Sequence, residues 1–479
     1  MQVLLENIGI IKNSIIELNG LTIITGKNNS GKTTVGKVLF SLMDAVCDRY
    51  KKAELDKRDY ILKQLRDIER IFDYFRHLRY SIGERNSDVI YKYPSFKKLV
   101  FNEYSKKSFY EIKQFTETLY LEIKNIDFSQ LLKQIKKRDR IFLDFIAHGE
   151  HKDGVDFFIK QMEEKKEKVL SILNDLFVFL KGDSELINYT RESINRTLKN
   201  EFSNQIQPVK NPSCISKITI KQDDALLFSF AIKGNSIIKD SKPAFYSTPF
   251  DKVFFIDNPF VLDNLFSPMV PYSSSDDPAF FFNNILNHED KLKQLLLKKE
   301  NITVFEQTIL DRQLKPIKNQ INKILPGTYE FSDDNYYVQD GKKLKINNLA
   351  TGSKLFSIIK ILLEKGYLDE STMLILDEPE AHLHPEWQNA FAEVIVLLVK
   401  KIGVTVLLTT HSSNFMLALD ANMRKYKIND KTNFYQTEKV DNDFLTYVNV
   451  NDDIGKIYKD FLLYLSKAKV LRDKYLNGI

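Results

Sequence analysis

Nine residues near the start of the chain have the composition of a loop that binds phosphate groups. They are Gly26, Lys27, Asn28, Asn29, Ser30, Gly31, Lys32, Thr33 and Thr34. Glycines at this spacing let backbone N–H groups point at phosphate oxygens, the lysine reaches the β- and γ-phosphates, and the hydroxyl of Thr33 binds Mg²⁺. The loop therefore predicts a site for a nucleoside triphosphate and Mg²⁺.

The elements on either side of this loop favour that prediction over an incidental turn. The apolar run 21–25 is typical of a buried strand, and residues 34–46 carry apolar side chains at three- and four-residue spacing, as a helix does. A strand, a glycine-rich loop and a helix in this order aim the helix N-terminus at the anion.

Two later strands end in residues that could complete the chemistry. Asp377 and Glu378 follow the apolar run 373–376, and His411 follows a β-branched run. An Asp at a strand end can serve as a ligand of Mg²⁺, and the next Glu can orient or deprotonate the water that attacks the γ-phosphate. We expect His411 to contact the γ-phosphate from the neighbouring strand end.

A fourth element is the short loop Thr351, Gly352 and Ser353, which opens an amphipathic helix. Free N–H groups at such a helix start attract an anion, although the same residues would serve as a helix cap.

Together, these four elements resemble the ATP-binding-cassette type of ATPase. The closer resemblance is to the branch with long insertions, which includes RecF-like and SMC-like proteins and the ATPases related to the overcoming-lysogenization-defect nucleases. The run "LDEPEAHLHPEWQ" is characteristic of the last group, as is the strand-like run at 252–265. The resemblance covers about residues 1–45 and 250–425. It implies an α/β fold, an ABC-type ATPase core with a mixed sheet interrupted by a large, mainly helical insertion.

The resemblance also implies a head-to-head dimer with ATP and Mg²⁺ as cofactors. Each ATP would lie between the phosphate loop of one subunit and residues Thr351–Ser353 of the other, so that ATP binding favours association and hydrolysis reverses it. Ala350 stands where the family usually has Ser, so the hydroxyl supplied in trans comes from Thr351 or is missing, and hydrolysis is expected to be slow. The family's glutamine after the insertion is absent, and Asp257 or Asn258 takes its place.

The pattern of the chain predicts four segments. They are an N-terminal core part at 1–46, a mainly helical insertion at 47–250 that ends in a β-hairpin, a C-terminal core part at 251–425, and strands and a helix at 426–479 that complete the core. We expect Asp441 and Asp443 to form a turn between two of those strands, and we expect no nuclease domain after the core.

The composition of the chain limits which partners and which cellular compartment we expect. The 70 basic and 64 acidic residues nearly balance, so any DNA-binding face must be local, and DNA is left open as a partner. The tracts 133–140 and 291–300 are basic but are better explained as solvated helix faces. Ligand-type residues at 148–153 and at His382 and His384 match no complete metal site. Cys47 and Cys214 fit no disulfide spacing, and no apolar run is long enough to cross a bilayer, so we expect a cytoplasmic protein without a membrane partner.

The expected function is therefore an ATPase whose nucleotide state controls subunit association. Resemblance suggests the sensor ATPase of a two-component anti-phage system, such as Septu or PARIS, acting with a separately encoded nuclease or toxin. The alternatives are a RecF-like DNA repair ATPase and a self-sufficient, ATP-regulated nuclease. A transporter subunit is disfavoured because the insertion is too large.

Overall fold

The computed structural model describes residues 1–47, 49–72, 93–100, 103–104, 107–130, 154–181, 185–238, 250–265, 287–298, 304–331, 335–441 and 443–476. The chain divides into two compact units. Unit 1 comprises Met1–Asp48, Ile187–Ser273 and Ile285–Ile479, and unit 2 comprises Arg49–Leu186 and Ser274–Asn284.

The strands of the described residues all belong to unit 1. They are β1 Gln2–Ile8, β2 Ile11–Glu17, β3 Leu21–Thr25, β4 Ser216–Gln222, β5 Ala225–Lys233, β6 Ser236–Ile237, β7 Lys252–Ile256, β8 Thr328–Phe331, β9 Asn335–Gln339, β10 Lys342–Lys345, β11 Thr372–Asp377, β12 Thr405–Thr410, β13 Thr432–Lys439 and β14 Leu445–Asn449. Eleven of them form one sheet in the order β6-β5-β4-β1-β2-β14-β13-β3-β12-β11-β7, and β10-β9-β8 form a small second sheet.

Six helices of the described residues lie between β3 and β4, and the others lie between later strands or after β14. They are α1 Lys32–Val46, α2 Arg49–Ile71, α3 Pro94–Val100, α4 Phe109–Asn125, α5 Gly154–Lys181, α6 Glu185–Glu201, α7 His288–Leu297, α8 Val304–Ile324, α9 Thr351–Glu364, α10 Pro385–Leu397, α11 Ser413–Tyr426 and α12 Gly455–Leu476. The predicted α/β class with a mixed sheet is confirmed, since β7, β11, β12, β3 and β13 run parallel while β1, β2, β4 and β5 pair antiparallel.

The central parallel strands are covered on both faces, which accounts for their unbroken apolar sequences. Alternate residues of β11 enter different cores, because successive side chains of a strand point to opposite faces. Met373 and Ile375 pack with α1, whereas Leu374 and Leu376 pack in the core that contains residues of α9, α10 and α11. The sheet thus fixes the carboxyl ends of β3, β7, β11 and β12 at one edge, where the candidate site lies.

The C-terminal strands complete the middle of the sheet. Strand β13 pairs with β3 in parallel and with β14 antiparallel, and β14 meets β2. The predicted turn is present between them, where the Asp441 side chain accepts N–H hydrogen bonds from Asp443 and Phe444, both at 2.8 Å. Without these strands, β3 would have one open edge.

The described boundary of the insertion differs from the predicted 47–250. The hairpin β4–β5 was correctly predicted, but β4 pairs antiparallel with β1, for example Gln2 with Lys221. The described residues 187–238 belong to unit 1, and the first segment of unit 2 ends at Leu186. Residue 251, where the predicted C-terminal core part begins, therefore lies within unit 1 and not at a boundary between the two units.

Unit 2 is helical in its described part, as predicted. Its core joins apolar residues of α2, α4 and α5, including Leu65, Leu119 and Leu173. Helix α4 begins with a capping box, in which Ser108 and Glu111 exchange hydrogen bonds with each other's backbone N–H groups. The tracts 133–140 and 148–153 lie outside the described residues, and no helix within the described ranges has the length and apolarity to cross a membrane.

Candidate nucleotide-binding site

The loop between β3 and α1 is shaped by two residues with positive φ angles. Gly31 has a φ of 74° and Asn29 a φ of 60°, and Gly31 precedes the first turn of α1 without a capping side chain. The N–H groups of a helix start that lacks a side-chain cap are open to an anion. A side chain at Gly26 would clash, because a Cβ there would lie 2.1 Å from Thr437 Oγ1 of β13. The backbone conformation of the loop therefore depends on positive φ angles at Asn29 and Gly31 and on the absence of a side chain at Gly26.

Lys32 is held inside the loop rather than in solvent. Its Nζ donates hydrogen bonds to the carbonyl oxygens of Gly26 and Lys27 at 3.0 and 2.8 Å, and only 4 % of the residue is exposed. It also lies 3.2 Å from Glu378 Oε1. The ammonium group is therefore fixed where phosphate oxygens would meet the loop, and a carboxylate pairs with it in this state.

Asp377 joins the phosphate loop to the end of β12. Its Oδ2 accepts a hydrogen bond from Thr33 Oγ1 at 2.5 Å, and its Oδ1 accepts one from Thr409 Oγ1. Burial raises the pKa of Asp377, these two hydrogen bonds oppose the rise, and the charges of Glu378 and Asp257 add to it.

Mg²⁺ fits this pair of oxygen groups. It prefers oxygen ligands, usually one or two carboxylates together with substrate phosphates, and Thr33 with Asp377 offers a hydroxyl and a carboxylate side by side. A divalent cation would also reverse the rise in the pKa of Asp377. Within the described ranges, no group of three or more His, Cys, Asp or Glu side chains is arranged to hold a metal by itself. The site thus suits an ion that arrives with a nucleotide.

Glu378 has the strained backbone that is common at functional sites. Its φ and ψ are both 48°, a left-handed conformation, and its N–H donates to the carbonyl and hydroxyl oxygens of Thr409, both at 3.1 Å. Its Oε2 lies 3.1 Å from His411 Nδ1. The carboxylate therefore stands between Lys32 and His411 and contacts both side chains.

Glu380 is a residue of the site that the sequence did not single out. It is 2 % exposed, and its Oε1 accepts hydrogen bonds from Thr410 Oγ1 at 2.5 Å and from the His411 backbone N–H at 3.2 Å. Burial raises the pKa of Glu380. Its position two residues after Glu378 is the one signal in the sequence, and its contacts show that it fixes the strand end from which His411 projects.

A cavity of about 290 Å³ opens beside these groups. Its lining comes from the phosphate loop, the ends of β7 and β11, and the start of α9. These residues are Asn28, Asn29, Thr33, Ile256, Asp257, Asn258, Pro259, Leu355, Asp377, Glu378, Pro379, Ala381 and His382. Asp257 and Asn258 thus both line this cavity.

Asp257 lies against a buried histidine that no pattern in the sequence indicated. His288 Nε2 lies 3.0 Å from Asp257 Oδ2, and His288 Nδ1 lies 2.7 Å from Glu201 Oε2. Burial lowers the pKa of His288, but the hydrogen bonds and charges of Asp257 and Glu201 outweigh burial and raise that pKa to about 9. The imidazole is therefore a cation between two carboxylates at neutral pH.

Tyr447 of β14 supports the phosphate loop from the C-terminal strands. Its hydroxyl donates a hydrogen bond to the Ser30 carbonyl oxygen at 3.3 Å, and burial raises the pKa of Tyr447. The contact joins residues 417 positions apart, so no local pattern could have indicated it.

Thr351, Gly352 and Ser353 form the first turn of α9, in which Gly352 and Ser353 are buried and Thr351 is partly exposed. A Cβ at Gly352 would lie 2.9 Å from the Trp387 ring, so only glycine fits against it. No hydrogen bond within the described ranges joins these three residues to Gly26–Thr34, and their proposed role in a second subunit's site stays a prediction. His382 lines the cavity, whereas the His384 ring accepts the Glu386 N–H at the start of α10.

Comparison with known proteins identifies the family. The family described as "AAA ATPase domain" matches residues 1–416. The chain belongs to this family. A curated relative, endonuclease GajA of Bacillus cereus (strain VD045), is 28 % identical over 239 residues, which are 45 % of this chain and 38 % of that protein. The chain thus spans well under half the length of the curated relative it matches.

Solved structures of SMC head domains are similar over most of this chain. One from Thermotoga maritima has 9 % identity and a TM-score of 0.34, covering 94 % of this chain and 98 % of that one. One derived from Pyrococcus yayanosii, with a coiled coil and joint, has 11 % identity and a TM-score of 0.34, covering 98 % and 99 %. Similarity at this level supports no functional conclusion.

Proposed function

We propose that the chain is an ATP-binding and ATP-hydrolysing module whose nucleotide state controls an endonuclease. The observation that carries the ATPase part is the convergence of Lys32, Thr33, Asp377, Glu378 and His411 on one edge of the sheet. Membership of the AAA ATPase domain family supports the same activity.

The residues of the site divide the work of hydrolysis. Lys32 and the N–H groups of the loop would bind the β- and γ-phosphates, and Thr33 and Asp377 would hold Mg²⁺, which would supply positive charge to neutralise the phosphates. Glu378 accepts a proton from the water that attacks the γ-phosphorus, the bond to the bridging oxygen breaks, and ADP and phosphate leave. His411 faces the γ-phosphate, and its orientation is set by Glu378 and Glu380.

Nucleotide binding must rearrange the Lys32–Glu378 ion pair. In this structure, both charges satisfy each other at 3.2 Å. A γ-phosphate brought to Lys32 replaces the carboxylate as its partner, which releases Glu378 to take a water molecule. The site therefore has two states. Lys32 pairs with Glu378 when no nucleotide is bound, and it pairs with the γ-phosphate when ATP is bound.

The endonuclease part of the proposal rests on the relative GajA. That protein is named an endonuclease as a whole, which favours an ATPase and a nuclease in one protein over a sensor that restrains a separate nuclease or toxin. A role in anti-phage defence rests on resemblance alone.

One experiment separates these arrangements. The purified chain is incubated with Mg²⁺ and plasmid DNA, with and without ATP, while phosphate release is followed in parallel. Cleavage that changes with ATP and persists through purification indicates that both activities reside in one protein. Hydrolysis without cleavage indicates a separate partner. Absence of ATP binding would remove the proposal altogether.

A further inference from the structure

The side chain of Gln388, in the first turn of α10, joins the turn that follows β11 to the start of α11. Its Nε2 donates hydrogen bonds to the carbonyl oxygens of Glu380 and Leu383 at 3.4 and 3.1 Å. Its Oε1 accepts hydrogen bonds from Ser412 Oγ at 3.3 Å and from Asn414 Nδ2 at 2.9 Å. An amide has two N–H donors and two acceptor lone pairs, so these four bonds use its whole capacity. Gln388 is therefore fully engaged as a bridge between the two segments.

Each of these two segments begins at a strand end that carries a candidate catalytic residue. The first follows β11 and starts at Glu378, and the second follows β12 and starts at His411. Ser412, which Gln388 contacts, is the next residue after His411 and caps the N-terminus of α11. The separation of the two segments therefore sets the distance between Glu378 Oε2 and His411 Nδ1, which is 3.1 Å here.

The backbone of His411 is held on both sides, whereas its ring is accessible. On the N-terminal side, Glu380 Oε1 accepts hydrogen bonds from Thr410 Oγ1 and from the His411 N–H. On the C-terminal side, the Ser412 hydroxyl donates to Gln388, and the Ser412 N–H donates to Thr410 Oγ1 at 3.1 Å. The His411 side chain is 42 % exposed. A fixed backbone with an accessible ring is the combination that a side chain acting on a bound substrate requires.

We propose that Gln388 is a positioning residue for ATP hydrolysis, which acts through His411 by holding the start of α11 against the turn after β11. The proposal rests on the ATPase function proposed above. Gln388 does not line the cavity and, within the described ranges, makes no hydrogen bond to Gly26–Thr34. Its loss should therefore lower turnover and leave nucleotide affinity intact, because a small displacement of a reacting group slows the reaction strongly.

The test compares turnover and nucleotide binding in Gln388→Met, which keeps an unbranched side chain of similar length and removes all four hydrogen bonds. We expect kcat for phosphate release to fall by about ten- to a hundredfold. The affinity for a non-hydrolysable ATP analogue, measured on the same preparation, should not change. The control is Asn389→Ala, which changes the exposed neighbour of Gln388 on α10 and should leave both quantities unchanged.

A double-mutant cycle with His411→Ala separates positioning from a general structural role. If Gln388 acts through His411, Gln388→Met should have little further effect on turnover in the His411→Ala background, because residues that act as a unit are not additive. An equal fold loss in both backgrounds indicates a purely structural role and overturns the proposal, as does full turnover in Gln388→Met. Wild-type turnover in His411→Ala overturns it too, since Gln388 would then have nothing to position. If the wild-type chain hydrolyses no ATP, the ATPase function has failed instead.

Asn414→Ala provides a second variant if Gln388→Met does not fold. Asn414 is exposed and donates one of the four hydrogen bonds of Gln388, so its truncation weakens the bridge from the surface. Loss of one hydrogen bond should lower kcat by roughly two- to tenfold, and this loss should disappear in the His411→Ala background. Full turnover in Asn414→Ala, or the same fold loss in both backgrounds, contradicts the positioning role.

Discussion

Lys32 and Glu378 form an ion pair across the mouth of the phosphate loop, with Nζ 3.2 Å from Oε1, and His411 Nδ1 lies 3.1 Å from the other oxygen of the same carboxylate. Glu378 is therefore the shared partner of Lys32 and His411, and a substitution of either residue changes what the other can bind.

Removing the Lys32 ammonium should weaken nucleotide binding. Lys32→Ala loses charged hydrogen bonds worth about 1.5–3 kcal/mol, which corresponds to roughly 10- to 100-fold in affinity. Calorimetric titration with ATP measures the change. The control is Lys342→Ala, an exposed lysine of β10. Equal affinity of Lys32→Ala and the wild type would contradict the assignment of the loop.

Glu378→Gln should separate binding from turnover. The amide cannot accept the proton of the attacking water, so phosphate release should fall by about 10²- to 10⁴-fold. ATP affinity should hold or rise, because Lys32 loses a competing partner. Phosphate release and equilibrium binding are measured on the same preparation, and normal turnover would assign the base elsewhere.

ATP should draw two copies together in the Glu378→Gln background, where the nucleotide persists. Light scattering with and without ATP should show a doubled mass, and Thr351→Arg should prevent the doubling by adding bulk at the first turn of α9. ATP affinity of Thr351→Arg, measured at low protein concentration, should match its parent. An identical mass with and without ATP would refute the head-to-head arrangement.

The charge on His288 should make stability depend on pH. Its pKa is raised from 6.5 to about 9, so its contribution to folding is complete below about pH 6.5 and is lost as the pH rises through about 9. In chelator, the difference in the free energy of unfolding between wild type and His288→Gln should shrink over this range by on the order of 3 kcal/mol. Urea titrations at several pH values measure it, and a constant difference would mean that the ring stays neutral.

Tyr447→Phe should loosen the phosphate loop. It removes the hydrogen bond to the Ser30 carbonyl, which contributes about 0.5–1.5 kcal/mol, and should lower both the stability and the ATP affinity. Tyr50→Phe, which removes a hydroxyl from a side chain that is 67 % exposed, serves as the control. Unfolding by urea and ATP titration are the measurements, and two unchanged values would show that the loop does not depend on this contact.

The parts of the site that the sequence predicted share one property. Each of these parts follows a strongly apolar strand: Gly26–Thr34, Asp377 and His411. Parallel strands bring their carboxyl ends to the same edge of the sheet, so the local pattern alone predicts where each part lies. Glu378 lies at the same edge because it directly follows Asp377 in the chain.

The parts that it did not predict depend on distant partners. Glu201 and His288 are 87 residues apart, and each looks like an ordinary helix-end residue until the two meet. The pairing of β4 could not be predicted for the same reason, because a hairpin pattern does not reveal which further strand β4 will pair with. Pairing with β1, more than 200 positions away, is decided by the assembled sheet.

The place of β13 and β14 between β3 and β2 has a consequence during synthesis of the protein. The strand that leads into the phosphate loop, Leu21–Thr25, is made before the insertion, yet one of its two neighbours follows only at Thr432–Lys439. A nascent chain on the ribosome therefore exposes an incomplete β3 until Thr432–Lys439 has been made. Nucleotide capture by a growing polypeptide should begin only after residue 449 has left the exit tunnel.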